Sequence, residues 1–511
     1  MRWSWSETAT ACAHGADSTA HAHERAMSVR TARAYASLNF YTRAMVESGV
    51  PERRWLALVA MTGSLSMIML DSTILGVALP TISRDLSMDA TTQAWAVNAY
   101  LVAMASFVAL GGRAGDRIGR MRAFRLGIVG FALSSIACAM STSAWAFVAA
   151  RAAQGLSAAL MQPASAAIVI DLYPPERRGR AMATYAGISL LFLAAGPLVG
   201  GVLLSYQSWH LCFWLNVPVA VLALALSMSV RHGAHDRRSR ALDWPSVVML
   251  AIGMPLFVSG LQAVRADAAM SARALSTVLP GLALLWLFVR RQLTIASPLV
   301  DLAPLRDRAL LASACTLFAF QFINVGQGIY GSWFLQASLH FSPMEAGLAT
   351  LPMMVPVLAI VHWAGKLYDT SGPRRPVVCG LSLTVLGAVV ESVGVAWLSY
   401  PVMAIGMACI GTGCGLAMSP SNTDALARAK EHQRGEVSGI IQSFRLAGGT
   451  LGVALIVLVM QLVSPTDSAW TPRAVSAGFA LHAVVALGAL ALAFAFVRSR
   501  APRYDGSTAT T

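Results

Sequence analysis

Charge is what this chain lacks most. Only 12% of its 511 residues are Asp, Glu, Lys or Arg, against ~25% in soluble globular chains. Hydrophobic residues make up 56%, and mean hydropathy is +0.61. So much apolar surface cannot be hidden from water, which excludes a soluble enzyme, and a disordered chain would be far more polar. Lysine is almost missing: Lys366 and Lys430 are the only two among 38 basic residues. The formal charge of +14 is therefore carried by arginine. No basic run is interleaved with aromatics as a nucleic-acid groove requires, so no nucleic-acid partner is expected. Seven cysteines occur without a C-x-x-C pair, and six lie in or beside apolar stretches, which argues for small buried hydrophobes rather than a disulfide or metal framework. A phosphate loop, an H-E-x-x-H helix and a nucleophile elbow are all absent. That removes an integral ATP motor and the common catalytic centres, and no enzyme activity, cofactor or metal is expected.

What the chain has in plenty is long apolar runs. About 20 apolar residues cross the hydrocarbon core, and runs of this kind fall near 55–81, 92–112, 123–141, 144–170, 181–204, 209–230, 244–264, 274–290, 309–335, 345–366, 376–398, 401–425, 436–462 and 474–497. They are continuous rather than alternating, which excludes a β-barrel. The expectation is an all-α integral membrane protein of fourteen transmembrane helices. Residues 1–54 read as a disordered cytoplasmic arm, or as an over-long start given Met27 and Met45; the His14, His21 and His23 cluster reads as solvated tail. All but six of the 38 basic residues fall on one side of the fourteen spans. Arg84, Arg265, Arg273 and Arg473 face the other side, and Arg151 and Arg445 lie within spans. The positive-inside rule then places both termini in the cytoplasm.

The chain repeats itself. Gly112-Arg-Ala-Gly-Asp116-Arg117-Ile-Gly119-Arg120 ends the second span, and Gly365-Lys-Leu-Tyr-Asp369-Thr-Ser-Gly372-Pro-Arg374 ends the tenth. Leu160-Met161-Gln162-Pro163 in the fourth span is echoed by Ala417-Met418-Ser419-Pro420 in the twelfth. The domain reading is an N-terminal six-helix half (55–230), a linker with two extra helices (231–308, the helices near 244–264 and 274–290), a C-terminal six-helix half (309–497) and a cytoplasmic tail (498–511). Repeated halves are how many secondary transporters build a midplane site and expose it to each side in turn.

A carboxylate at the bilayer centre costs ~2.5–3.5 kcal/mol on insertion scales, so Asp71, midway along the first span, is by default a functional candidate, the alternative being that it caps or pairs within the bundle. Arg151 in the fourth span must be paired or hydrated; it either tunes a carboxylate such as Asp71 or ties neighbouring helices together. Glu391 is a second acid within a span, read either as a second proton or cation site or as a residue near the outer interface. His482 reads as a packed histidine. Gln154 and Gln162 share one face of the fourth span. With Asn98, Gln321, Asn324, Gln327, His362 and Trp363 they are candidates to line a substrate cavity of polar groups among aromatics, or else to bond between helices.

These segments resemble the major facilitator superfamily and, within it, the 14-span drug:proton antiporters of EmrB/QacA type. The resemblance rests on Gly112 to Arg120, Leu70-Asp71-Ser-Thr73-Ile74-Leu-Gly76-Val77-Ala78-Leu79-Pro80, Arg151-Ala-Ala-Gln154-Gly155, Gly196-Pro197-Leu-Val-Gly200-Gly201, Asn216-Val217-Pro218, Asp243-Trp244 and Arg445-Leu-Ala-Gly448-Gly449. Ala183 and Phe192 stand at two glycine positions of the family's span-five pattern. The resemblance implies proton coupling through Asp71 and Arg151. It implies a cytoplasmic gate of Gly112, Asp116, Arg117, Gly119, Arg120, Asp171, Gly365, Asp369 and Gly372, with Arg120 pairing with Asp171 and Asp116 facing a helix N-terminus such as that of the eleventh span. Gly196, Pro197, Gly200 and Gly201 are implied as an antiporter hinge. The implied activity is proton-driven efflux of small amphipathic or cationic drugs across the inner (cytoplasmic) membrane by alternating access; proton-coupled transport of one metabolite, peptide or siderophore is the alternative. The implied partners are a small-molecule substrate, protons and the bilayer, and a periplasmic adaptor protein is left open.

Overall fold

In hydrocarbon every backbone N–H and C=O must be bonded within the chain, and the apolar runs accordingly fold as helices. The computed structural model describes residues 52–206, 208–229, 243–263, 268–295, 298–429, 434–464 and 471–497. Nearly all of the expected arm, with its histidine cluster, and the tail lie outside the described residues. Fourteen helices are long and apolar enough to span a bilayer: α1 (Arg54–Asp85), α2 (Thr91–Ile118), α3 (Arg120–Ala139), α4 (Ala144–Leu172), α5 (Arg180–Ser205), α6 (His210–Met228), α7 (Trp244–Ala263), α8 (Ala274–Thr294), α9 (Arg308–Ala337), α10 (Pro343–Val361), α11 (Arg374–Ala396), α12 (Tyr400–Arg428), α13 (Val437–Val463) and α14 (Pro472–Phe496). Among the described residues there is no strand. Successive spans alternate in direction, so one face of the bundle is rich in arginine and the other poor.

Helix starts are set by polar caps that satisfy the orphan N–H groups of a first turn. The Asp89, Ser143 and Thr471 side chains accept from Thr92, Ala146 and Ala474 N–H, and Ser342 with Glu345 forms a reciprocal capping box at α10. The segment from Gly112 onward is not a loop: α2 stays helical to Ile118 and breaks only at Gly119. Gly119 has φ +97° and Gly372, its counterpart after α10, has φ +74°. Side chains with a Cβ rarely adopt such angles, which explains why both copies carry glycine there. Three spans are interrupted. α6 breaks at Leu215, α9 contains a π turn at Gln327–Gly331, and α10 starts as Pro343–Ala349 and resumes as a helix over Leu351–Ser371.

Two six-helix halves, α1–α6 and α9–α14, are packed by the same contacts. A Cβ on Gly155 would overlap the Tyr100 carbonyl, and a Cβ on Gly411 would overlap that of Met353. Gly127 lies against Met161 as Gly380 lies against Ala417. Small residues of this kind let helix backbones approach closely where lipid supplies no hydrophobic drive. The two-helix insert α7–α8 seats in the groove between the halves: Met254 and Val258 of α7 form one buried cluster with Val102 of α2 and Ala454 of α13. Its arginine-rich end is tied by Arg291, whose Nε and Nη2 donate to Asp243 at 2.8–3.2 Å.

Candidate functional site

The most concentrated polar chemistry lies inside the first half. Asp71 of α1 and Arg151 of α4 form an ion pair with Nη1 to Oδ2 of 2.7 Å, and their side chains are only 2% and 1% exposed. Gln154, one turn along α4 from Arg151, accepts from the same Nη1. Its Nε2 donates to Asp71 Oδ1 at 3.0 Å and to Ser135 Oγ of α3 at 2.8 Å. Asn216, where α6 resumes after its break, donates through Nδ2 to the same two oxygens at 3.1 Å. Arg151 Nε donates to the Ala96 carbonyl of α2 at 3.3 Å, and its guanidinium lies 4.6 Å from the Tyr100 ring centroid. Five helices thus join one network around the Asp71 carboxylate, with α4 and α6 bonding it directly. Breaking such a buried pair by removing one partner costs ~3–5 kcal/mol in protein interiors, because the other charge is left uncompensated.

Arg151 thus pairs with Asp71 and also ties α4 to α2. Ser135 and Asn216 were not legible as site residues. Asn216 sits in an Asn-Val-Pro segment that drew attention, but uncharged polar residues are common between membrane helices and carry no mark of function.

A cavity opens between the halves, against α5, α9, α10, α12 and α13. Of the expected lining residues it holds Gln321 and Asn324, set among Leu193, Phe320 and Met418. Arg445 lines it as well and makes no ion pair among the described residues. Gln154 is buried in the Asp71 network instead. Gln162 accepts from Gln442 of α13 at 3.2 Å and so bridges the halves. Asn98 and Gln327 are buried, and neither amide has a hydrogen-bond partner. Trp363 corrects the expectation: it is 70% exposed, on the side of α10 away from Met354 and Leu358, which line the cavity. The His362 side chain lies outside the described residues. Glu391 and His482 are wholly buried within the bundle and 3.9 Å apart, with Glu391 five residues before the end of α11.

The glycine-proline segment of α5 forms the seam that closes this cavity toward the arginine-poor face. A Cβ on Gly196 would overlap Thr73 beside Asp71, and Gly200 lies against Ile74. A Cβ on Gly201 would come within 2.9 Å of the Pro343 carbonyl of α10, and one on Gly347 would overlap the Pro197 carbonyl in return. Gly76 of α1 meets the Gly328 backbone of α9 in the same way, and Gln336 Nε2 donates to the Val77 carbonyl at 3.0 Å.

At the arginine-rich face the first copy of the repeat is latched. Arg120 pairs with Asp171 at 2.7 Å and with Asp116 at 3.0 Å. Asp116 thus meets Arg120 rather than the N-terminus of α11. Arg117 is exposed and forms no ion pair among the described residues, and Gly112 makes only ordinary contact with Pro163. The second copy differs. Asp369 is exposed and unpaired among the described residues, and a Cβ on Gly365 would meet open space. The corresponding latch is built by Arg428, 2.7 Å from Asp424 and 3.5 Å from Asp307, the residue that caps α9. The repeat leads one to expect a pair at Asp369, whereas at this end of the second half the acid-base pair lies within α12 at i, i+4.

The model of the Major Facilitator Superfamily matches residues 61–453 and, separately, 309–510. The tetracenomycin C resistance and export protein of Streptomyces glaucescens is 30% identical over 414 residues, covering 81% of this chain and 77% of that protein. A multidrug resistance protein B homolog of Mycobacterium tuberculosis is 29% identical over 403 residues, covering 77% and 74%. Among solved structures the fold is similar to a D-xylose-proton symporter, with a TM-score of 0.62 at 15% identity over 87% of this chain and 97% of that one. Fourteen apolar helices in two repeated halves, the glycine-packed seam and the extent of these matches agree: the chain is a multi-pass membrane transporter and belongs to the Major Facilitator Superfamily.

Proposed function

We propose that this protein exports small amphipathic compounds from the cytoplasm across the inner membrane in exchange for protons, with the arginine-rich face and both termini cytoplasmic. The resistance and export name of one relative and the multidrug resistance name of another support the direction, and the imbalance of basic residues supports the orientation. The observation that carries the coupling is the convergence of three donors on one buried carboxylate. Arg151, Gln154 and Asn216 all give N–H to Asp71. A proton on Asp71 would cancel the negative charge that holds Arg151 and weaken all three of these bonds. Loading one proton therefore loosens α1 from α4 and α6, next to the place where Gly196 of α5 rests on α1. This is a two-state element of the kind alternating access needs. Proton entry down ~100 mV releases ~2.3 kcal/mol per charge, enough for roughly fifty-fold accumulation at ~1.4 kcal/mol per tenfold.

The cavity is a cleft of about 40 Å³ in this conformation, and its lining of amides and one arginine among apolar side chains is the chemistry an amphipathic solute would meet once it widens. No carboxylate is among its lining residues, and Asp71 is already neutralised by Arg151, so a cationic drug meets an acid only once that pair opens. Export ends at the arginine-poor face, which is where a periplasmic adaptor protein, if one takes over the substrate, must dock. A drug-susceptibility panel with and without expression, repeated with an uncoupler, tests the reading. Resistance to several unrelated amphiphiles that the uncoupler abolishes is the expected result. Saturable, uncoupler-sensitive transport of a single metabolite with no resistance phenotype would replace it.

A further inference from the structure

The second half has no counterpart to Asp71 and Arg151, yet it buries a titratable pair of its own. Glu391 of α11 and His482 of α14 are 0% exposed, and Nδ1 stands 3.9 Å from Oε2. Neither carboxyl oxygen and neither ring nitrogen has any hydrogen-bond partner. Buried polar atoms are almost always bonded, and a buried group left unpaired calls for an explanation. The surroundings supply none. His482 stacks on Phe479 with ring centroids 5.1 Å apart and meets the edge of Phe322. A Cβ on Gly326 of α9 would stand 2.9 Å from Nε2, and Gly406 of α12 packs on the Glu391 backbone. Among the described residues no other charged side chain from α9, α11, α12 or α14 pairs with either group. Within one turn of these contacts the neighbouring helices also carry Cys409 of α12, which packs on Gly387 one turn from Glu391, and Tyr330 of α9, one turn beyond Gly326.

Position makes the pair more than a defect. α11 and α14 are the third and sixth helices of their half, as α3 and α6 are of theirs. Those helices supply Ser135 and Asn216 to the Asp71 network. Phe213-Trp-Leu-Asn216 on α6 and Phe479-Ala-Leu-His482 on α14 share a pattern. In the register set by Gly127 and Gly380, Glu391 falls where Cys138 stands, and the Cys138 thiol lies 4.0 Å from Gln154 of the network. In the register set by Gly155 and Gly411, Arg151 and Gln154 correspond to Met407 and Ile410, both fully buried. The second half thus keeps an acid and a base on the third and sixth helices and lacks the guanidinium.

We propose that Glu391 and His482 form a second proton-binding site, so that each transport cycle carries a proton in each half. The step is a reversible protonation: a carboxylate beside a neutral imidazole takes one proton from one side of the membrane and returns it to the other. Both groups are sealed, so exchange with water requires α11 to move against α14. Coupling to transport rests on the antiport reading above; proton binding does not.

Two measurements separate these. Infrared difference spectra of the purified full-length protein between acid and alkaline buffer should contain a buried carboxyl band that is absent in Glu391→Gln. In His482→Gln that band should persist with a displaced midpoint. Spectra of Glu391→Gln and His482→Gln that superimpose on the wild type would overturn the site, and either variant alone suffices if the other fails to fold. In proteoliposomes with ethidium as the probe, the ratio of protons to ethidium should fall by one in Glu391→Gln. An unchanged ratio would overturn the coupling while leaving the antiport reading intact. No ethidium-driven proton flux in the wild type would count against that reading, and the spectra would still decide the site.

Discussion

Asp71 and Arg151 stabilise each other only as a pair, and this separates structural from coupling roles. Asp71→Ala leaves a guanidinium buried without a counter-ion, a loss of ~3–5 kcal/mol by analogy with soluble interiors, which should appear as a large fall in the melting temperature of the solubilised protein. Adding Arg151→Met removes the orphaned charge and should recover most of that loss without restoring proton coupling. A double variant no more stable than the single one would show that the 2.7 Å pair does not dominate this site. The two charged members were legible in the sequence because a charge inside an apolar run is rare and expensive. Ser135 and Asn216 were not, although they complete the acceptor and donor set: hydroxyl and amide side chains cost little between helices, and so reveal little.

Helices transmit what the residues do. The number and order of the spans were readable from apolar length alone. The breaks at Leu215, Gln327–Gly331 and Thr350 were not, since a hydropathy run is blind to one irregular turn. Two of these breaks adjoin functional contacts: Asn216 follows the first, and Gly328, which meets Gly76, lies in the second. The glycines of α5, implied as an antiporter hinge, pack directly against α1 and α10. Gly201→Leu should therefore hold α5 off α10 and favour a state open at the arginine-poor face, with cysteine accessibility at Met344→Cys as the readout. Increased labelling is expected. Unchanged labelling together with normal transport would show that the Gly201–Met344 approach is incidental.

Taken whole, the molecule is two repeated halves with a two-helix insert in the groove between them. The insert was visible as two extra spans, but its seating was not, because its faces are all apolar and a one-dimensional pattern does not say which neighbour covers them. Its polar tie makes a pH-dependent prediction. The Arg291 guanidinium, helped by Ser246, holds the Asp243 carboxyl below the usual carboxylate range. The resulting stabilisation is complete above the ordinary Asp value of about 3.9 and is lost as pH falls through the lower native value. Asp243→Asn should melt earlier than the wild type at neutral pH, and the gap should close in strong acid. A gap that stays constant with pH would mean the ion pair contributes nothing.

In the proposed exchange the carboxylate held by Arg151, Gln154 and Asn216 carries the proton. The most direct test is proton release from proteoliposomes on addition of a transported amphiphile, comparing the wild type with Asp71→Asn at equal reconstitution. Substrate-driven proton release in the wild type and none in the variant, with substrate binding retained, is the predicted result; undiminished proton release from Asp71→Asn would contradict it.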